Sequence, residues 1–131
     1  IGRAVRLREG ADATIVDCGL MVAAALEAAA QLAAEGIEVR VLDMHTVKPL
    51  DEAAIEAAAR ETGAIVTAEE HLLDGGLGSR VAMAVGRLAP CPMRFVGVDD
   101  TFARSGTPDE LMAAYGLTAE AIAAAVRSAR A

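Results

Sequence analysis

Read for apolar and polar alternation, the chain divides into ten segments of strand or helix. Gly2–Arg8 alternates weakly, with Ala4, Arg6 and Arg8 set against Val5 and Leu7, which suits a short edge strand. Glu9–Asp12 turns the chain, and Ala13–Cys18 is an apolar run ended by Gly19, the pattern of a buried strand. Leu20–Glu35 is rich in Ala and Leu, with Glu27, Gln31 and Glu35 spaced by four, which predicts a helix with one polar stripe. Gly36 suits its left-handed cap, and Ile37 falls where it can touch Leu32.

Val39–Met44 is β-branched at its start and predicts the next strand. Leu50–Asp51 opens a second helix, with Asp51 as its cap and Leu50 and Ile55 spaced as a hydrophobic staple. Gly63 closes that helix, and Ala64–Ala68 reads as a third apolar strand. A helix over Leu77–Leu88 follows, entered through Asp74–Gly75–Gly76–Leu77–Gly78. Pro90 and Pro92 bracket its exit, before a last strand over Met93–Val98. Thr107–Pro108–Asp109–Glu110 combines a capping box with Pro at the first helical position. Gly116 ends that short helix, and Thr118 caps a final one running to about Ser128.

Strands alternating with helices at this spacing predict a parallel sheet covered on both faces. The short turn before Ala13 makes the first strand, Ala4–Leu7, antiparallel to the rest, because parallel neighbours need crossovers of a dozen residues or more. The expected fold is a three-layer α/β/α sandwich around a mixed five-stranded sheet. No repeat, low-complexity linker or charge block divides residues 1–131, so they read as a single domain.

Composition narrows the function. With 131 residues and a hydrophobic fraction of 54%, the chain can fill a core, which excludes global disorder. Much of that content is Ala, and aromatics make up only 2%, leaving little flat surface to grip a base or a sugar. Twelve basic against 19 acidic groups give a net charge of −7, with no basic stripe for nucleic acid or an anionic membrane. The most apolar stretch, Gly19–Ala34, is interrupted by Glu27 and Gln31 and is too short to span a bilayer. Cys18 and Cys91 cannot form a disulfide framework, and no signal peptide precedes the first strand, so the expected location is the cytoplasm. The chain begins at Ile1, not Met, which suggests that it is processed or a piece of something longer.

Ligands of open parallel sheets bind outside the carboxyl ends of the strands. Those ends collect Asp17 and Cys18, Asp43 and His45, then Glu69, Glu70 and His71, and finally Asp99 and Asp100. Helix N-termini at the same edge attract carboxylates without any catalysis. No pair of histidines has helical metal-ligand spacing, so no metal site is expected. Gly75–Gly76–Leu77–Gly78 stands where a phosphate loop would, yet lacks both the dinucleotide fingerprint and the Gly-Lys-Ser/Thr of a P-loop. Small residues there can instead let the helix start pack closely on the sheet or let another chain approach. The candidate interface or anion site is therefore Glu69, Glu70, His71, Gly75, Gly76 and Gly78. Glu69, Glu70 and His71 are expected to fix a loop or an interface. A Cys18–His45 dyad is conceivable across neighbouring strands, but no catalytic motif supports it.

Several segments together resemble a known module. Asp17–Cys18–Gly19–Leu20–Met21–Val22, opening an Ala-rich helix, is similar to the first βα unit of the C-terminal domain of transketolase-type thiamine-diphosphate enzymes. Thr46–Val47–Lys48–Pro49–Leu50–Asp51 resembles that family's link from the second parallel strand to its helix. The most specific segment is Ile65–Gly78, with its apolar strand, acidic residues, His71 and double glycine. Ser105–Gly106–Thr107–Pro108–Asp109–Glu110–Leu111 and Tyr115–Gly116–Leu117–Thr118 are similar to the family's C-terminal signature. His71 and the Ser105–Pro108 run look more like transketolase, especially the kind split into two polypeptides, than like deoxyxylulose-phosphate synthase or the oxo-acid dehydrogenase β subunit.

The resemblance implies a non-catalytic part of an enzyme that moves two-carbon ketol units between sugar phosphates in pentose phosphate metabolism. Thiamine diphosphate and Mg²⁺ would be held by the remaining domains, so this chain is expected to bind no cofactor and to be inactive alone. Its implied work is to pack against those thiamine-diphosphate-binding domains and help build a homodimer. The alternatives are the equivalent domain of an oxo-acid dehydrogenase E1 β subunit or a deoxyxylulose-phosphate synthase, with a partner-docking role, and a free-standing regulatory module binding an anion at Gly75–Gly78.

Overall fold

A computed structural model describes residues 3–45, 49–72, 76–98 and 116–131, with the side chains of Glu70, His71, Leu72 and Val98 outside the description. The elements are β1 (Ala4–Arg8), β2 (Ala13–Asp17), a 3₁₀ turn (Gly19–Met21), α1 (Val22–Ala33), β3 (Val39–Met44), α2 (Glu52–Thr62), β4 (Ile65–Leu72), α3 (Leu77–Leu88) and β5 (Met93–Val98). The helix over Ala119–Arg130 completes the described chain and is α4 here. The helix expected from Thr107, the residues Asp99 and Asp100, and Thr46–Lys48 lie outside the described residues.

The five strands form one mixed sheet in the order β1-β3-β2-β4-β5. β2, β3, β4 and β5 run parallel, and β1 alone is antiparallel. The direction of β1 is as expected, but its neighbour is not the strand that follows it. The turn at Glu9–Asp12 makes no hairpin. It carries the chain under the start of β3, so β1 pairs with β3, with a bulge between Arg6 and Arg8. Asp12 N–H donates to the Glu38 carbonyl at 2.9 Å, and Glu38 N–H donates to Asp12 Oδ2 at 2.7 Å, pinning the crossing. Gly10 is needed there, since a Cβ would lie 2.4 Å from the Val39 carbonyl carbon. Every residue of β2 is buried, as a central strand requires, while three of the five β1 residues are exposed and suit an edge.

Side-chain alternation divides the core into two layers. Ile15, Val41, Val66 and Ala68 pack with α1 and α4 on one face, and Val16, Leu42, Met44 and Ile65 pack with α2 and α3 on the other. Alanines fill much of the helix side, which lets α1 and α4 sit close together. Arg127 of α4 donates through Nε to Glu35, just past α1, at 3.0 Å.

The caps are local and match their sequence signals. Ile37 N–H donates to the Leu32 carbonyl and Gly36 N–H to the Ala33 carbonyl, both at 3.0 Å, with Gly36 at φ 80°. Asp51 accepts from Ala54 N–H at 3.1 Å and from Ala4 N–H at 2.8 Å, so one carboxylate starts α2 and anchors β1. Thr118 accepts from Ala121 N–H at 3.2 Å. Two of the boundaries that differ from expectation bear on the sheet edge. The 3₁₀ turn delays α1 to Val22, and β4 runs on to Leu72, so that Glu69, Glu70 and His71 belong to the strand. Among the described residues, no helix is long and apolar enough to cross a membrane.

Candidate functional site

The carboxyl ends of β2, β3 and β4 bring two buried acids to one edge of the sheet, facing opposite layers. Glu69 has no solvent exposure, and its side chain points to the α3 face. Leu77 N–H donates to its Oε1 at 2.8 Å and Gly78 N–H to its Oε2 at 2.6 Å. α3 has no capping side chain of its own at Gly76, so a strand residue eight positions upstream does that work. The carboxylate also meets the positive end of the helix dipole, where a negative charge is favoured. An external anion at this turn would compete with a built-in one.

Gly78 makes the arrangement possible. A Cβ there would stand 3.0 Å from Phe95 Cδ1, 3.1 Å from Thr67 Oγ1 and 3.2 Å from Glu69 Oε2. The helix start therefore lies directly on β4 and β5, and the small residue serves that approach. Gly76 accepts from Arg80 N–H, and Gly75 lies outside the described residues. The strand places Glu70 and His71 beside Glu69 in β4, with only their backbone described.

Asp17 ends β2 on the opposite face, also without exposure. It is in register with Asp43 of β3, whose side chain is 14% exposed, and Asp43 Oδ2 stands 3.4 Å from His45 Nδ1. As a carboxylate, Asp17 has no donor on either oxygen. As a carboxylic acid, it has a proton to share with Asp43. Burial first, then the hydrogen bond and charge of Asp43, push its pKa from 3.8 to about 8, which favours the acid form at neutral pH.

Sequence reasoning placed Asp17, Asp43 and His45 on one edge but missed that they form a row. One signal was available: Asp43 and His45 are two apart and so share a strand face. The Cys18–His45 dyad is not what the fold builds. Cys18 packs in the α2 and α3 layer with Val16, while the imidazole, 61% exposed, stands against Asp43. Neither cysteine is in a disulfide. Among the described residues, no group of three or more His, Cys, Asp or Glu side chains is placed to hold a metal ion. A cleft of about 650 Å³ lies between the start of α2 and α3, lined by Pro49, Leu50, Glu52, Arg80, Met83, Ala84 and Arg87.

Comparison with known proteins decides the family. The family profile described as "Transketolase, C-terminal domain" matches residues 2–122. The chain belongs to this family. It is 51% identical over 122 residues to the 6-deoxy-6-sulfo-D-fructose transketolase subunit SqwH of Clostridium sp. (strain MSTE9), covering 93% of this chain and 38% of that protein. A 1-deoxy-D-xylulose-5-phosphate synthase of Heliobacterium modesticaldum is 45% identical over 128 residues, or 97% of this chain and 20% of its own length. Among solved structures, one titled "Split gene transketolase, inactive beta4 tetramer" superposes with a TM-score of 0.94 at 51% identity, covering 98% of this chain and 42% of its own. The transketolase C-terminal domain thus spans about two-fifths or less of each of these relatives. The sandwich and its mixed five-stranded sheet are those of the family's fold.

Proposed function

We propose that residues 1–131 work as one domain, the non-catalytic C-terminal part of a transketolase that transfers two-carbon ketol units between sugar phosphates. The observation that carries this reading is the 51% identity to a subunit of a transketolase acting on a sulfo-sugar. Thiamine diphosphate and Mg²⁺ belong, on this reading, to the remaining domains. What supports leaving them there is the chemistry of the strand ends. The α3 amides that a diphosphate would seek already hold Glu69, and the neighbouring edge carries Asp17 and Asp43. The described residues do not fit the cofactor.

The domain's task is then assembly, as part of an oligomer with the other subunits and, more specifically, of a cytoplasmic homodimer of the parent enzyme. The cleft with Met83, 73% exposed at its rim, suits packing against another domain. Glu70, His71 and Gly75 are assigned to an interface on their sequence pattern alone. Pentose phosphates are the proposed substrates.

The test is reconstitution. The chain alone, with thiamine diphosphate and Mg²⁺, is expected to show no thermal shift and no ketol transfer, because only a ligand bound by the folded state raises its melting temperature. Supplying the missing domains in trans should restore both. A thermal shift on the chain alone would place the cofactor here and overturn the reading. The synthase reading rests on the 45% identity. A reconstituted enzyme that makes a 1-deoxyketose phosphate and transfers no ketol unit would favour it.

A further inference from the structure

Asp17 is the one acidic side chain among the described residues that is fully buried with no donor on either oxygen. Its surroundings offer little to hold a negative charge. From β3 it meets Asp43, and beyond that His45. On β4 its partner is Ala68, and the next residue, Glu69, is turned to the other face and tied to α3. On β1, Val5 stands opposite Asp43, and Arg6 and Arg8 pair with Glu9 and Glu38. The first turn of α1 carries no charge, and Glu27 of α1 and Glu120 of α4 are exposed. Arg3, exposed just before β1, lies beyond the Ala4–Met44 pair toward His45 and makes no hydrogen bond to Asp17.

We propose that Asp17 is a pH-responsive element built into the sheet edge: it holds a proton shared with Asp43, and loss of that proton loosens the Gly19–Met21 turn that starts α1. The row Asp17, Asp43, His45 supplies the exit. The proton passes from Asp17 to the Asp43 carboxylate, then to the imidazole of His45, and from there to water. Two adjacent carboxylates then remain, one of them sealed from solvent. The turn follows Asp17 by one residue, Cys18 N–H donates to the Ala68 carbonyl at 3.3 Å, and the Met21 N–H bond to the Cys18 carbonyl is long, at 3.4 Å.

The sign follows from the direction of the Asp17 shift, which is upward. Below the ordinary carboxylate pKa, both folded and unfolded chains hold the proton, and its contribution to stability is complete. As pH rises toward about 8, the unfolded chain has already released the proton, and the folded form loses its advantage progressively.

Urea unfolding of the 131-residue chain at pH 5, 7 and 9 tests this, for the wild type and for Asp17→Asn, which keeps the shape without the charge. The wild-type folding constant should fall at least tenfold from pH 5 to pH 9, and the variant should fall less than threefold. Equal slopes in the two proteins would overturn the proposal. Should Asp17→Asn not fold, the wild type alone decides through its backbone amide shifts. Met21, Val22 and Ala23 should titrate together with a midpoint near 8. The absence of a transition between pH 6 and 9 at those amides would overturn it equally.

Discussion

Glu69 and Asp17 lie near the ends of adjacent central strands, both without solvent exposure, and their environments differ in two respects. Glu69 receives two amides from the start of α3. Asp17 receives no donor and faces another acid. Burial is the first cause of the upward shift at Asp17, so depth matters; what differs is that Glu69 has two amides to offset it and Asp17 has none. A buried carboxylate with two amide bonds and a helix dipole is a structural anion, whereas one without partners is relieved by taking up a proton. The same sheet edge therefore carries a capping carboxylate toward α3 and a titratable group toward α1.

The largest expected effect breaks the first half of this comparison. Glu69→Ala strands two buried amides and should lower stability by about 3 kcal/mol in urea unfolding. A loss below about 1 kcal/mol would mean that water or another group replaces the carboxylate. Next is Gly78→Ala, which forces a Cβ against Phe95, Thr67 and Glu69 and should cost about 2 kcal/mol through overpacking. Its loss should shrink when combined with Glu69→Ala, because the two changes share one contact.

Asp17→Asn sharpens the second half. Near pH 8 the variant should be more stable than the wild type, with the gap closing toward pH 4. A variant less stable at every pH by a constant amount would show that Asp17 acts through shape and not charge. Thr118→Ala gives the smallest effect and a control for Glu69. Both side chains start a helix, but Thr118 is half-buried, so its loss should cost about 1 kcal/mol. A cost equal to that of Glu69→Ala would erase the role of burial in the comparison.

What the sequence made legible was local. β3, α3 and β5 lie where apolar periodicity put them, and the ends at Gly36, Asp51 and Thr118 follow from residues within one turn. Missed features depend on groups far apart. The turn at Glu9–Asp12 reveals the direction of β1 but not its neighbour, since that depends on Gly10 crossing beneath β3. β4 looked shorter than it is because Glu69 reads as a loop residue, until its partners eight and nine positions later come into view. The Asp17–Asp43 pair needs the register of two strands separated by a whole helix, which no local pattern carries. Membership of the transketolase family was legible from motifs along nearly the whole chain, and the profile match over residues 2–122 agrees.

The most direct test of the contrast between the two acids is the carboxyl ¹³C shift of Asp17 in the labelled, folded chain, followed from pH 3 to pH 9. The account predicts a single-proton transition near pH 8 at that carbon, far above the ordinary value of 3.8. A transition near that ordinary value would show that Asp17 is ionised inside the protein despite having no donor, and would contradict the claim that burial without a donor keeps the proton on this acid.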